Sequence, residues 1–294
     1  MKKIVLLFLL IIHFNCIAKQ NNDSLPNIIL LYTPIKETFF VSGINLNRYT
    51  AIDNMVSPLV YDGYGLGANF GLLRQKSKSN TNLNFSFCSA KLNNELQAKH
   101  YATELNHMLM NCGKSYEINN LTFNTIVTSI GWQFNQVLYF KSNSQFQNSS
   151  LTYHISSAIS PVFRFEKYLS IKENKKRLAF KKQRYMRINY QFSIPILGAI
   201  ARPNYNVIRK LNDGTGSNYE NSLASEVISN YKLYSFKSFF AINSILCLEY
   251  YFKNGNRFML QYYFNFEQMK KEHFSYKVAQ SGLQFCLLTR LNSN

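Results

Sequence analysis

Phe258-Met259-Leu260-Gln261-Tyr262-Tyr263-Phe264-Asn265-Phe266-Glu267 is the stretch that decides the fold class. Its even positions, Phe258, Leu260, Tyr262, Phe264 and Phe266, are all apolar or aromatic. Its odd positions, Met259, Gln261, Tyr263, Asn265 and Glu267, are mostly polar or amphipathic. Successive side chains of a β-strand point to opposite faces, so this segment has one apolar face and one wet face. The pattern recurs along the 294 residues. It is the signature of a transmembrane β-barrel, apolar toward lipid and polar toward the lumen. A soluble exported β-sandwich, with the apolar faces as its core, is the other architecture that alternation allows. Strand length, 24 Phe and 20 Tyr, and the polar opposite faces favour lipid. The predicted architecture is all-β, a transmembrane antiparallel up-and-down β-barrel of about ten strands, with eight or twelve left open.

The ten segments are Thr38 to Tyr49, Gly63 to Gln75, Asn82 to Asn93, Tyr116 to Ile126, Ile130 to Phe140, Thr152 to Ile171, Leu178 to Gly198, Ser238 to Phe252, Arg257 to Met269 and Lys277 to Leu291. Each can cover the roughly 9–11 residues that a tilted strand needs to cross a bilayer. Gaps after the even strands are short, and Asn254-Gly255 in the last of them suits a type I′ hairpin turn. Gaps after the odd strands are mostly longer: Thr50 to Asp62, Asn94 to Ser115, Lys141 to Leu151, Ala199 to Lys237 and Lys270 to Tyr276. Short periplasmic turns and longer outer loops are the asymmetry of outer-membrane barrels. The longest gap carries Asn212-Asp213-Gly214-Thr215-Gly216, a turn signal. Pro161 and Pro195 cannot donate to a ladder, and they predict bulges or strand ends.

At the N-terminus, Lys2 and Lys3 precede an apolar run from Ile4 to Ile12, and Cys16-Ile17-Ala18 offers small residues for cleavage. Residues 1–18 therefore read as a signal peptide, 19–37 as a periplasmic linker and 38–294 as the barrel. Acylation of Cys16 is the competing reading, disfavoured by the bulk of His13-Phe14-Asn15. No later run is long enough for a helical span, which needs about 20 apolar residues. The formal charge is +18. No nucleic-acid module accompanies it, so nucleic acid is not an expected partner. Outer-membrane lipid is; basic outer loops could meet anionic headgroups or polysaccharide, but solvated lysine at turns is the preferred reading of the charge. Cys88, Cys112, Cys247 and Cys286 remain after cleavage; Cys88, Cys247 and Cys286 fall on inward faces and read as small lumen-filling residues. Their spacing matches no metal motif, and neither metal nor cofactor is expected.

Ser193-Ile194-Pro195-Ile196-Leu197-Gly198, Arg202-Pro203-Asn204-Tyr205 and the closing hairpin around Lys253-Asn254-Gly255-Asn256 resemble a group of uncharacterised outer-membrane β-barrels of Bacteroidetes. The resemblance runs from about Ser57 to the C-terminus. It implies an outer-membrane location and no particular activity. Asp23-Ser24-Leu25 is similar to the O-glycosylation site of that phylum, but a tripeptide is a weak signal and solvated linker is the preferred reading.

Strand parity places Arg164, Glu166, Arg187, Glu249, Glu267 and Arg290 inside, where they are expected to pair and plug a narrow lumen. For catalysis, His154 and Ser156 share a face of the sixth strand, and the His-x-Ser pair is similar to that of outer-membrane lipid A deacylases. A serine nucleophile needs a base within hydrogen-bond reach and a group to orient that base. Glu166 shares the parity but lies about 33 Å from Ser156 along an extended strand, so another carboxylate would be required. His100, His107 and His273 fall in expected outer loops. No phosphate cradle, carboxylate pair or nucleophile elbow is present. The sequence thus favours a small channel or loop-presenting scaffold over a lipid hydrolase.

Overall fold

In the computed structural model, residues 36–53, 57–94, 103–118, 126–143, 151–171, 184–202, 231–235, 238–252, 254–269 and 275–292 are described. Twelve strands form one sheet: β1 (Lys36–Asp53), β2 (Ser57–Lys76), β3 (Ser79–Asn93), β4 (Thr103–Glu117), β5 (Ile126–Ser142), β6 (Leu151–Ile171), β7 (Arg184–Ser193), β8 (Leu197–Ala201), β9 (Lys232–Ser235), β10 (Phe239–Tyr251), β11 (Arg257–Met269) and β12 (Tyr276–Asn292). Their order is β5-β4-β3-β2-β1-β12-β11-β10-β7-β6, and β6 pairs back onto β5, so the sheet closes. Every pairing is antiparallel, and ten strands make the ring. β8 continues β7 along β6, and β9 pairs with β8. Each of the ten strands has a partner on both sides, although β10 meets β7 only from Asn243 onward and the β8–β9 extension ends the sheet at β9.

The segment 194–196 between β7 and β8 explains both prolines. Ser193 pairs with Val162 and Leu197 with Ile159, so Ile194, Pro195 and Ile196 stand opposite Ser160 and Pro161. Only Ile196 N–H reaches across, to Ile159 O at 3.0 Å. Each proline therefore lies where this ladder is already interrupted, a bulge in which its missing donor costs nothing.

Alternation holds around the wall. On β2, Tyr64, Leu66, Phe70 and Leu72 are exposed on the outside, while Gly63, Gly65, Gly67 and Gly71 face in. The inward glycines are required by crowding: a Cβ on Gly65 would meet Ser89 O at 2.6 Å and Ala90 Cβ at 2.7 Å. Outward Ile44, Leu46, Trp132, Ile159, Phe163, Leu246, Tyr262 and Leu283 continue the apolar belt. Outward polar groups within it are mutually bonded, as Ser157 with Gln136 and Ser244 with Tyr190.

Several expectations change. The stretch from Asn94 to Ser115, expected as an outer loop, contains most of β4, which replaces the expected strand from Tyr116 to Ile126. β1 and β2 extend until only 54–56 separates them, so Thr50 to Asp62 is strand rather than loop. The ends of the gap from Ala199 to Lys237 belong to β8 and β9; residues 203–230, with the Asn212–Gly216 turn signal, lie outside the described residues, as do residues 1–18, expected as a signal peptide, and Asp23-Ser24-Leu25. At the β10–β11 turn, Gly255 N–H donates to Phe252 O at 3.2 Å and Phe252 N–H to Asn256 O at 2.9 Å. Gly255, at φ +84°, is thus the fourth residue of its turn. That is the three-residue loop with a left-handed glycine bulge, not the two-residue type I′ turn.

Candidate functional site

Ten strands enclose a lumen that side chains can nearly fill. At the terminal end, where β1 begins and β12 ends, the filling is polar. Arg187 pairs with Glu249, its direct cross-strand partner, and with Glu166 at 3.4 Å. Glu249 also receives Arg257 at 3.4 Å, and Arg257 reaches Glu37 at 2.7 Å. Arg290 closes that side on Glu37 at 3.2 Å. The Arg257 guanidinium lies between the rings of Phe39 and Tyr251, at 4.1 and 4.4 Å from their centroids, which adds cation–π attraction.

On the other side, Arg164 donates to Gln191 at 2.8 Å, Gln191 to Gln133 at 2.9 Å, and Gln133 to Asn135 at 2.6 Å. Asn111 donates to Asn135 at 3.0 Å, and Asn82 to Asn111 at 2.8 Å. Arg257 also donates to Gln75 at 2.7 Å. Joined through the Arg164–Glu166 contact at 3.7 Å, these links touch all ten strands of the ring. The result is a polar seal held from every side.

The opposite, distal half differs from the uniformly polar lumen that alternation suggested. Tyr49, Leu92, Leu105, Tyr139, Phe239, Met269 and Tyr276 are buried together there. A lumen this narrow is packed largely like a core, with a void of about 30 Å³ beside Ser156 and Glu267, so inward positions need not be polar. Set into this aromatic plug are His154, Ser156, Glu267 and His107. Tyr276 donates to Glu267 and lies 2.9 Å from His154 Nε2. The arrangement that satisfies all three groups has His154 Nε2–H donating to the Tyr276 oxygen. Ser156 donates to Glu267 at 3.4 Å. Gln280 donates to the Tyr49 hydroxyl at 3.0 Å, which leaves that hydroxyl to donate to His107 Nδ1 at 3.0 Å. The His107 ring stacks on Tyr139 at 4.6 Å. Nearer the rim, Asp53 binds both Arg202, at 2.5 Å, and Lys141, at 3.6 Å.

Arg164, Glu166, Arg187, Glu249 and Arg290 thus sit within one network at the terminal end, and Glu267 stands apart with His154 and Ser156 in the distal half. The carboxylate beside His154 is Glu267, and Glu166 is engaged elsewhere. Ser156 has Glu267, not His154, as its hydrogen-bond partner, and it is 2% exposed inside the barrel. The Ser156 hydroxyl is thus directed at the Glu267 carboxylate and not at the His154 imidazole, inside the barrel wall. His107 was expected in an outer loop and is instead a buried lumen residue; His100 and His273 lie outside the described residues. The described cysteines are free, with Cys88, Cys247 and Cys286 buried inside. Among the described residues no group of His, Cys, Asp and Glu is arranged to hold a metal.

Between the two seals lies a chamber of about 140 Å³, walled by Arg164, Arg187, Glu249 and a set of amides that includes Asn111, Asn189, Gln191, Asn265 and Gln284.

No family model and no curated protein matches the chain. Among solved structures, it is similar to the translocator domain of the autotransporter NalP from Neisseria meningitidis, at 6% identity over 85% of this chain and 88% of that one, TM-score 0.34. An outer-membrane channel from Pseudomonas putida F1 matches at 9% identity over 87% and 96%, TM-score 0.31. A deltaS2 mutant of the TodX monoaromatic hydrocarbon channel matches at 8% identity over 87% and 91%, TM-score 0.29. None of the three is close enough for its activity to be transferred.

Proposed function

We propose that this chain is an outer-membrane β-barrel that works as a narrow small-solute passage, shut in the described state by a seal at each end of a central chamber. The membrane half of this reading rests on the apolar belt around a closed ring. On β2 the belt runs from Tyr64 to Leu72, with Asp62 and Arg74 beyond its two ends. That run is about 26 Å along a strand, or about 20 Å in height at the 35–45° tilt of such barrels, close to their roughly 25 Å apolar band. Aromatic–cation pairs mark the rims, with Arg48 over Tyr64 at 5.9 Å and Lys114 over Tyr116 at 4.7 Å. In this orientation the termini face the periplasm. Exposed Arg48, Lys91 and Lys277 at the distal rim would meet anionic headgroups or polysaccharide. On the resemblance noted above, we also read the chain as one of the Bacteroidetes barrels.

The single observation that carries the passage reading is the chamber itself. A barrel used only to present loops needs a packed core, and burying unpaired polar groups opposes folding. A packed scaffold would be expected to fill the central space that arginines and amides here share with Val41, Leu109, Ile245 and Met259. The test is conductance of the refolded protein in a planar bilayer. Wild type is expected to be silent or nearly so, and a folded Arg187→Ala/Glu249→Ala variant to give discrete steps. Steps of open-porin size from wild type would overturn the closed state. A folded variant as silent as wild type would favour the second reading, a loop-presenting scaffold, which the sealed lumen also accommodates.

A further inference from the structure

At the terminal end, the outer wall carries two rows of side chains fixed by strand register. Direct cross-strand partners give the first as Arg74, Thr81, Lys114 and Trp132, on β2 to β5. The second, one step nearer the rim, is Lys36, Lys76, Ser79 and Tyr116, on β1 to β4. These positions share the parity of exposed Phe40, Leu72, Phe87, Met108 and Phe140 on the same strands, so they lie on the outer face. Lys114 turns its Nζ over the Tyr116 ring, at 4.7 Å. Its charge is thereby carried toward the rim while its stem stays on the apolar wall.

Nothing on this patch neutralises it. Among the described residues, Lys36, Arg74, Lys76 and Lys114 form no ion pair. The carboxylates described on the outer face are Asp62 and Glu104, both at the distal rim. There Arg48 holds Asp62 at 3.1 Å, and Lys91 stands opposite Glu104. Glu117, beside Tyr116, has the opposite parity and lines the terminal mouth, which Lys76 borders as well. The uncompensated outer charge therefore centres on Arg74 and Lys114.

Those two flank Thr81 across two strand spacings, about 10 Å between backbones. Both side chains reach a group placed over the Thr81 hydroxyl. A phosphate diester suits that frame, because a guanidinium bonds two of its oxygens side by side. The ammonium of Lys114 adds a point charge, and the hydroxyl of Thr81 a further donor. Leu72 and Leu83, one step further in on β2 and β3, begin the apolar belt. The frame thus stands where headgroup phosphates meet hydrocarbon, and exposed Trp132 lies beside it.

We propose that this face docks an anionic phospholipid, its phosphate held between Arg74 and Lys114 over Thr81 and its net charge met by Lys36 and Lys76. The site rests on the membrane reading of the belt and is independent of whether a solute crosses the barrel.

Trp132 is the only tryptophan of the chain and the direct partner of Lys114, so its fluorescence reports the lipid at this place. The protein is refolded into phosphatidylcholine vesicles that contain a fixed share of chain-brominated phosphatidylglycerol or of chain-brominated phosphatidylcholine. Quenching of Trp132 by the two is compared. Wild type is expected to prefer phosphatidylglycerol about fivefold, the scale of one basic side chain at an anionic surface. Salt at about 1 M, where the Debye length is about 3 Å, is expected to lower that ratio. Arg74→Gln/Lys114→Gln is expected to bring it near one, and Lys91→Gln at the distal rim to leave it unchanged. Heat-modifiable migration reports that each variant is folded. Should the double variant not fold, either single replacement is expected to lower the ratio in part. Equal quenching by the two lipids in wild type would overturn the site and leave the patch to solvent, with the membrane reading intact. A ratio undiminished in the folded variants, or lowered as much by Lys91→Gln, would overturn it too. No quenching by either lipid would overturn the membrane reading and the site with it.

Discussion

Arg187 on β7 and Glu249 on β10 are direct cross-strand partners, and their side chains form an ion pair inside the barrel, each less than 5% exposed. Neither charge is held by that pair alone. Glu166 stands on the far side of Arg187, and Arg257 on the far side of Glu249. The pair is the middle link of an alternating line, which makes its energetics asymmetric. Truncating one partner leaves its opposite number short of counter-charge, whereas removing both leaves Arg164 with Glu166 and Arg257 with Glu37. Arg187→Ala and Glu249→Ala are each expected to destabilise the barrel by about 3–5 kcal/mol, and the paired replacement Arg187→Met/Glu249→Leu by much less. Urea midpoints in lipid vesicles, read by gel migration, measure all three.

Leu66 lies mid-strand on β2, opposite Leu46 on one side and Ser89 on the other, with 66% of its surface exposed. In a soluble barrel an exposed leucine can become arginine with little effect, within about 0.5 kcal/mol. Facing hydrocarbon, the same change is expected to cost about 2–4 kcal/mol. Comparing the unfolding midpoint of Leu66→Arg in vesicles with that of wild type therefore tests whether the belt meets lipid.

How much of this was legible in the sequence depended on how cleanly each strand separates its faces. β11 sends Phe258, Leu260, Tyr262, Phe264 and Phe266 outward without exception, and its bounds, Arg257–Met269, match the reading of the sequence. β4 does not separate. Leu105 and Leu109 face in, beside His107 and Asn111, and Glu104 and Asn106 face out at the distal rim. Apolar residues on the inside and polar residues on the outside erase the period-2 signal, and the strand read as a loop. The cause is the narrow lumen, whose distal half packs as an aromatic core. For the same reason sequence reasoning missed His107, Tyr49, Tyr139 and Tyr276. Parity put Arg164, Glu166, Arg187 and Glu249 on the face that is buried here, because they alternate with apolar residues along their strands. Their pairing was not legible, since it joins residues as far apart in sequence as Glu37 and Arg257.

His107 carries a stability prediction that separates the two readings of its segment. As a loop histidine it would tolerate alanine. Buried at 2% exposure, stacked on Tyr139 and bonded to the Tyr49 hydroxyl, it leaves both a cavity and an unpaired hydroxyl when truncated. His107→Ala is expected to cost about 3–5 kcal/mol, in the range of other buried aromatic truncations. His107→Gln retains an acceptor for Tyr49 and is expected to recover part of that loss in the same urea titration.

Ser156 and His154 bear on the hydrolase alternative. Hydrolysis through a serine needs a base on the hydroxyl, access for the scissile carbonyl and a stabiliser for the developing oxyanion. His154 directs Nε2 to Tyr276 and leaves Nδ1 without a partner, while Ser156 turns its proton to a carboxylate, Glu267. An anionic oxygen beside the nucleophile would repel an oxyanion rather than stabilise it. The neighbours of Ser156 in the wall are Val137 on β5 and Ile200 on β8, both buried, and the cavity beside it, about 30 Å³, is too small for an acyl chain. Wild type refolded into outer-membrane lipid is accordingly expected to release no fatty acid, and Ser156→Ala to behave identically. The long hydrogen bond that Ser156→Ala removes limits its stability loss to about 1 kcal/mol. Fatty-acid release by wild type that disappears in a folded Ser156→Ala protein would restore the hydrolase and require the distal plug to open to lipid.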